Sequence, residues 1–171
     1  EYLFKIKNKT ACLVSFLEGN DKIKLTNKDC FDVGKNAGKL HLAAKNLNLY
    51  RKNSLSVNSW GPLLYKIDKR INRLSSNLIH TMRSDLSDIK KKWPKKMPEG
   101  IIHSDLFLDN IFFYKRKYYG FIDFYFSSNG FLAYELATCV NALCFKKKNN
   151  VFVLDKNKSS QLLKGYQSVR R

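Results

Sequence analysis

The stretch from Ile101 to Phe124 places the tightest demand on how this chain can fold. Asp105 and Asp109 sit among Ile101, Ile102, Leu106, Phe107 and Leu108, core-forming residues for the most part. An ionised carboxylate taken out of water costs several kcal/mol unless something pairs with it. Ile111 to Tyr114 then reads as a strand, Lys115-Arg116-Lys117 as a turn and Tyr118 to Phe124 as a second strand, the pattern of a β-hairpin. A hairpin returns the chain to its starting point, so Asn110 and Asp123, thirteen positions apart, meet at one end of two paired strands. Asp109 has no place in that constellation and is read as a turn former.

The flanking sequence predicts a mostly helical body. From Thr26 or Asn27, both good N-caps, apolar residues recur at Cys30, Val33, Ala37, Leu40 and Ala44, the steps of an amphipathic helix. Leu64, Ile67, Ile71, Leu74, Leu78, Met82, Leu86, Ile89 and Trp93 keep one apolar face over about eight turns. They predict a single long helix ended by Pro94 and Pro98. Residues 46–62, rich in Asn and Ser and containing Gly61-Pro62, read as a loop. Residues 2–7 and 11–17 read as paired strands around Asn8-Lys9, and Phe131 to Phe145 as a helix. Val151 to Leu154 is strand-like, and Ser159 is placed to cap a terminal helix with Leu162, Leu163, Tyr166 and Val169 inward. Helices with a small inserted hairpin make an α+β pattern.

Composition narrows the function classes. Four cysteines form no CxxC pair, and the three histidines are scattered at positions 41, 80 and 103, so no zinc site is expected. Reduced thiols in a cytoplasmic protein are the expectation. No apolar run approaches the ~20 residues of a membrane span, and the opening residues do not resemble a signal peptide. The net charge of +18 raises the alternative of a basic nucleic-acid-binding module. Only seven of the basic residues are Arg, however, and the Lys are spread along the chain. Arg is the residue suited to bidentate phosphate and base contacts, so the charge is read as solvated surface and no specific nucleic-acid partner is expected.

The spacing His103-x-Asp105-x-x-x-x-Asn110, followed by a hairpin and Ile122-Asp123-Phe124, is the catalytic-loop and metal-aspartate arrangement of kinases. Phosphoryl transfer needs an acceptor hydroxyl held in line with the γ-phosphate of ATP and a carboxylate beside it to accept its proton, the role read for Asp105. Mg²⁺ takes oxygen ligands, often one or two carboxylates plus substrate phosphates. Asn110 supplies a neutral oxygen and Asp123 a charged one. His103 is read as orienting the loop backbone and not as a metal ligand.

Several longer segments resemble a known family. IIHSDLFLDNIFF, FIDFYFSSNGFLAYELATCVNALCF and LLKGYQSVR look like the homoserine kinases of the aminoglycoside phosphotransferase/choline kinase-like superfamily. VSFLEG resembles their interlobe hinge, and KLHLAAKNLNLYRKNSLSVNSW their first large-lobe helix and following loop. The resemblance implies a protein-kinase-like α+β fold of the aminoglycoside phosphotransferase type, with ATP and Mg²⁺ as cofactors and the homoserine hydroxyl as acceptor, on the route to threonine. It implies Asp105 as base, Asn110 and Asp123 as Mg²⁺ ligands, and backbone groups of Ser15, Phe16 and Leu17 facing adenine. Choline, methylthioribose or an aminoglycoside is the alternative acceptor within the superfamily. Homoserine carries an ammonium and a carboxylate, for which Arg51, Asn53, Trp60 and Tyr125 are the candidate contacts. The chain departs from the pattern at Leu108, where proline is expected, at Gly130, where an acid is expected, and at Glu135, where the shorter Asp is expected. Residues 1–18 are expected to be the end of an N-terminal lobe with its hinge, and 19–171 the helical C-terminal lobe, cut short at its end. No glycine-rich loop or strand lysine for the ATP phosphates is found, so the chain is expected to hold the acceptor half of a site and, as an isolated piece, to be inactive.

Overall fold

The computed structural model describes residues 2–71 and 77–170. A first hairpin pairs β1 (Leu3–Ile6) with β2 (Lys9–Cys12). The strand expected to continue to Leu17 stops at Cys12, and Leu13, Val14 and Phe16 are largely exposed. Helix α1 (Asn27–Ala43) starts where the N-cap signal placed it: Thr26 Oγ1 accepts from the Asp29 amide, and the Asp29 carboxylate accepts from the Thr26 amide. This reciprocal capping box satisfies two of the amides that every helix start leaves unpaired.

The loop read over 46–62 ends early, because α2 (Val57–Ile71) runs through Gly61-Pro62. Pro62 lies in the second turn, where its missing N–H removes one hydrogen bond of the helix ladder, that to the carbonyl of the exposed Asn58. The single helix read from Leu64 to Trp93 is two helices, α2 and α3 (Leu78–Lys92). Leu64 packs with Ile79, Met82 and Leu86, whereas in one straight helix Leu64 and Leu86 would be about 33 Å apart. The two helices meet over these residues, while Ile67, Leu78 and Ile89 stay exposed; Leu74, read as part of that face, lies outside the described residues.

Strand β3 (Glu99–Ile102) enters the loop that carries His103 and Asp105, and β4 (Ile111–Tyr114) and β5 (Lys117–Phe121) form the expected hairpin, though the second strand starts at Lys117 and ends at Phe121 and not Phe124, which opens a short helical turn, Phe124–Phe126. A strand not read from the sequence, β6 (Ser128–Phe131), pairs antiparallel with β3. Helix α4 (Leu132–Leu143) follows, and β7 (Phe145–Lys148) pairs with β8 (Val151–Leu154). The run Lys146-Lys147-Lys148 ends β7 with its side chains exposed. Helix α5 (Lys156–Gln167) is capped by Asp155, not Ser159, because the Asp155 carboxylate accepts from the amides of Asn157 and Lys158. Ser159 lies within the first turn.

The main core gathers Cys30, Val33 and Ala37 from α1, Leu106 from the loop, Ile111 from β4, Cys139 from α4 and Leu162 from α5. The loop between β3 and β4 is thus pinned by its own buried Leu106. All four cysteines are free; Cys12 is exposed and the other three are buried. No helix among the described residues is long and apolar enough to cross a membrane.

Candidate active site

Building from the loop outward, His103 is fully buried. Its Nε2 lies 2.8 Å from the Ile122 carbonyl, which can only accept, so that nitrogen carries the proton. Nδ1 is left to accept from the Asp105 amide at 3.3 Å. One imidazole therefore ties the Asp105 backbone to the residue before Asp123. The Phe124 ring covers it at a centroid distance of 4.5 Å.

Ser104 adopts the left-handed backbone region, with φ of 72°, a conformation that disfavours most side chains. The reversal is held from beneath by Glu135, a fully buried residue of α4. One of its carboxylate oxygens accepts from the His103 amide and the other, at 2.9 Å, from the Ser104 amide. Charge-assisted bonds of this kind are about twice as strong as neutral ones. In the sequence, Glu135 stands out only as a departure from a family pattern. The available signal was a lone carboxylate on an apolar helical face, beside Leu132, Leu136 and Cys139.

Asp105 and Asn110 meet directly. Asn110 Nδ2 donates to the Asp105 backbone carbonyl at 2.8 Å and to its Oδ2 at 3.0 Å. With both amide hydrogens used inward, Asn110 Oδ1 is the atom available to a cation. The Asn110 carbonyl accepts from the Ile122 amide at 3.1 Å, and Ile111 pairs with Phe121, so the hairpin delivers Asp123 to the same end. Asp123 is exposed and left-handed, with φ of 59°; its carboxylate accepts from the Tyr125 amide at 3.4 Å. A neutral amide oxygen and a carboxylate fit a hard cation that completes its shell from phosphates and water. No cluster of three or more His, Cys, Asp or Glu able to hold a metal occurs among the described residues. Asp109 is exposed in the short turn Leu108–Asn110 and takes no part.

The four candidate acceptor residues divide. Arg51 donates through Nη1 to the carbonyls of Tyr125 and Ser127, and its backbone amide and carbonyl pair with Asn129. This joins the loop before α2 to the segment after Asp123. Arg51, Asn53, Ser104, Phe126, Ser128 and Tyr134 line a small cleft beside the loop. Burial, and then the charge of Glu135, push the Tyr134 phenol up. Tyr125 is exposed, with its ring near the Arg51 guanidinium. Trp60 stands apart: its Nε1 donates to the Leu55 carbonyl and its ring packs edge-on against Trp93, so it serves packing and does not line this cleft.

Ser15 and Phe16 are exposed, and Leu17 lies against Gly120 of β5. Just after them, Gly19 has φ of 117° and approaches the Phe113 carbonyl so closely that a Cβ would lie 2.7 Å from its oxygen. Only glycine permits this. Asn20 then exchanges two backbone hydrogen bonds with Phe113, which ties this end of the segment to β4.

Comparison with known proteins agrees with this architecture. The chain is 41% identical over 170 residues to a homoserine kinase of Agrobacterium fabrum, covering 99% of this chain and 52% of that protein. It is 40% identical over 166 residues to a homoserine kinase of Rhizobium meliloti, covering 97% and 50% respectively. The chain therefore spans about half the length of these curated relatives. Among solved structures, an aminoglycoside-3'-phosphotransferase of type VIII superposes with a TM-score of 0.63 at 14% identity, over 90% of this chain and 59% of the other. The APH(2")-IIa complex with gentamicin gives 0.63 at 16% identity, over 96% and 58%. These likenesses establish the aminoglycoside phosphotransferase-type α+β fold. A model of the phosphotransferase enzyme family matches residues 5–169, and the chain belongs to that family.

Proposed function

We propose that the protein carrying this chain is an ATP- and Mg²⁺-dependent kinase that phosphorylates the side-chain hydroxyl of homoserine. Residues 19–171 act as its helical lobe, and residues 1–18 as the end of the smaller lobe with the hinge. The observation that carries the reading is the double tie at Asn110: its amide nitrogen donates to the Asp105 carbonyl and carboxylate, and its backbone carbonyl accepts from the amide of Ile122, the residue before Asp123. The choice of homoserine rests on relatives of that name matching almost the whole chain at about 40% identity.

In this reading Asp105 accepts the proton of the acceptor hydroxyl as the γ-phosphate of ATP is transferred. Asn110 fixes which Asp105 oxygen is free, since Oδ2 already accepts from it. Asn110 Oδ1 and the Asp123 carboxylate hold Mg²⁺, which when bound neutralises charge on the phosphates. His103 and Glu135 keep the loop rigid, so the carboxylate need not reorganise as charge develops. The cleft lined by Arg51 and Asn53 takes the amino-acid end of the acceptor, with Tyr125 at its rim. Adenine lies against the backbone of Ser15, Phe16 and Leu17.

The test is ADP release from ATP on addition of homoserine, with choline, methylthioribose and an aminoglycoside as competing acceptors, and with Asp105→Asn as the variant. Turnover with homoserine that falls about 10²- to 10⁴-fold in the folded variant supports the reading. Turnover retained in that variant removes Asp105 as base, and phosphorylation of another acceptor instead of homoserine overturns the substrate.

A further inference from the structure

We propose that Tyr166 is a positioning residue: its hydroxyl fixes the tautomer of His41, and through Glu135 this steadies the loop that carries Asp105. The catalytic meaning rests on the function proposed above; the hydrogen-bond polarity does not.

His41 of α1 is 4% exposed and lies between α4 and α5. Its Nδ1 is 2.9 Å from the Tyr166 hydroxyl. Its Nε2 is buried, makes no full hydrogen bond among the described residues, and has Glu135 Oε2 at 3.5 Å. That same Oε2 accepts from the His103 amide. A lone pair on Nε2 would face a carboxylate oxygen, acceptor against acceptor; a proton there is attracted to it. With the proton on Nε2, Nδ1 is an acceptor, because neutral imidazole has one of each. The Tyr166 O–H must then donate, which leaves its oxygen to accept, and Arg170 Nη1 lies 3.5 Å away as a donor. Every donor points the same way, from Arg170 through Tyr166 and His41 to Glu135. The opposite tautomer gives Tyr166 two donors and turns a lone pair on Glu135. Burial raises the Tyr166 pKa against the opposing pull of Arg170, which keeps the hydroxyl protonated.

The chain is labelled with ¹⁵N, and two quantities are read by NMR: the protonated nitrogen of His41, and the exchange rates of the His103 and Ser104 amides. Wild type should carry the His41 proton on Nε2. Tyr166→Phe should move proton population toward Nδ1 and speed exchange of those two amides about five- to tenfold, the worth of one lost hydrogen bond. Exchange within the β4–β5 hairpin should stay unchanged. Should Tyr166→Phe fail to fold, Arg170→Met, which removes only the distal donor, should shift both readouts in the same direction. A wild-type proton on Nδ1, or amide rates within twofold of wild type in the folded variant, overturns the proposal. Neither readout depends on turnover, so failure of the kinase reading and failure of this inference are separable.

Discussion

Replacing Gly34 by alanine tests the packing on which the site is built. Helices α1 and α5 cross with their backbones in direct contact: a Cβ on Gly34 would lie 1.9 Å from the Leu162 carbonyl oxygen, and one on Gly165 would lie 2.0 Å from that of Phe31. Carbon and carbonyl oxygen approach no closer than about 3.3 Å even in favourable C–H···O contacts, so the helices must part by about 1.4 Å. The obstacle is backbone, so no rotamer change relieves it. Separation also loosens Cys30, Val33, Ala37, Leu162 and Tyr166 in the core between them. Overpacking costs 1–3 kcal/mol and occasionally more; this site belongs at or above the upper end, about 3–4 kcal/mol. Alanine returns about 1 kcal/mol of helix propensity, for a net loss of about 2–3 kcal/mol. In a chain of this size that lowers the melting temperature by roughly 4–12 °C. Gly165→Ala should match it. Gly38→Ala should lose less, because its tightest neighbour is the Val169 Cγ2 methyl at 2.6 Å, the end of a side chain that can move. Thermal and urea melts of the three variants measure the order. Gly34→Ala melting at or above wild type, with the propensity gain expressed in full, would refute the backbone-contact crossing.

Two further outcomes are expected. Burial pushes the Asp29 carboxyl up, but hydrogen bonds from Lys22 and Thr26 more than offset it and hold its pKa below the usual value. Its stabilisation is therefore present above the unfolded pKa of about 3.9 and is lost as pH falls through the lower folded value. Asp29→Asn should flatten the acid side of the stability profile in urea melts; parallel profiles for the variant and wild type would contradict this. Arg51→Ala removes the donor to Tyr125 and Ser127 while leaving the backbone pairing with Asn129. In steady-state assays of the proposed reaction, KM for homoserine should rise by a larger factor than kcat falls. The reverse pattern would place Arg51 in the chemical step.

Much of the site was legible because its logic is local. The start of α1 could be read to within one residue, at Thr26 or Asn27, since an N-cap acts within a single turn. The meeting of Asn110 with Asp123 followed from one turn between two apolar strands. The long apolar face from Leu64 to Trp93 misled for a physical reason: two helices that pack on each other carry the same apolar period as one continuous helix. Strand β6 was missed because Ser128-Asn129-Gly130 has no apolar alternation; β3 and the Arg51 segment supply its pairing. Asp155 overrode Ser159 as cap because the β7–β8 hairpin ends there, with the Asp155 amide bonded to the Cys144 carbonyl.

The sequence by itself determined which residue types stand at chemically meaningful spacings, His103, Asp105, Asn110 and Asp123, and that a hairpin brings the last two together. Only the tertiary structure decided what holds them. Glu135, His41 and Tyr166 come from three helices separated by up to 125 positions. Hydrogen bonds of this kind depend on where helices cross in space, which no periodicity along the chain records.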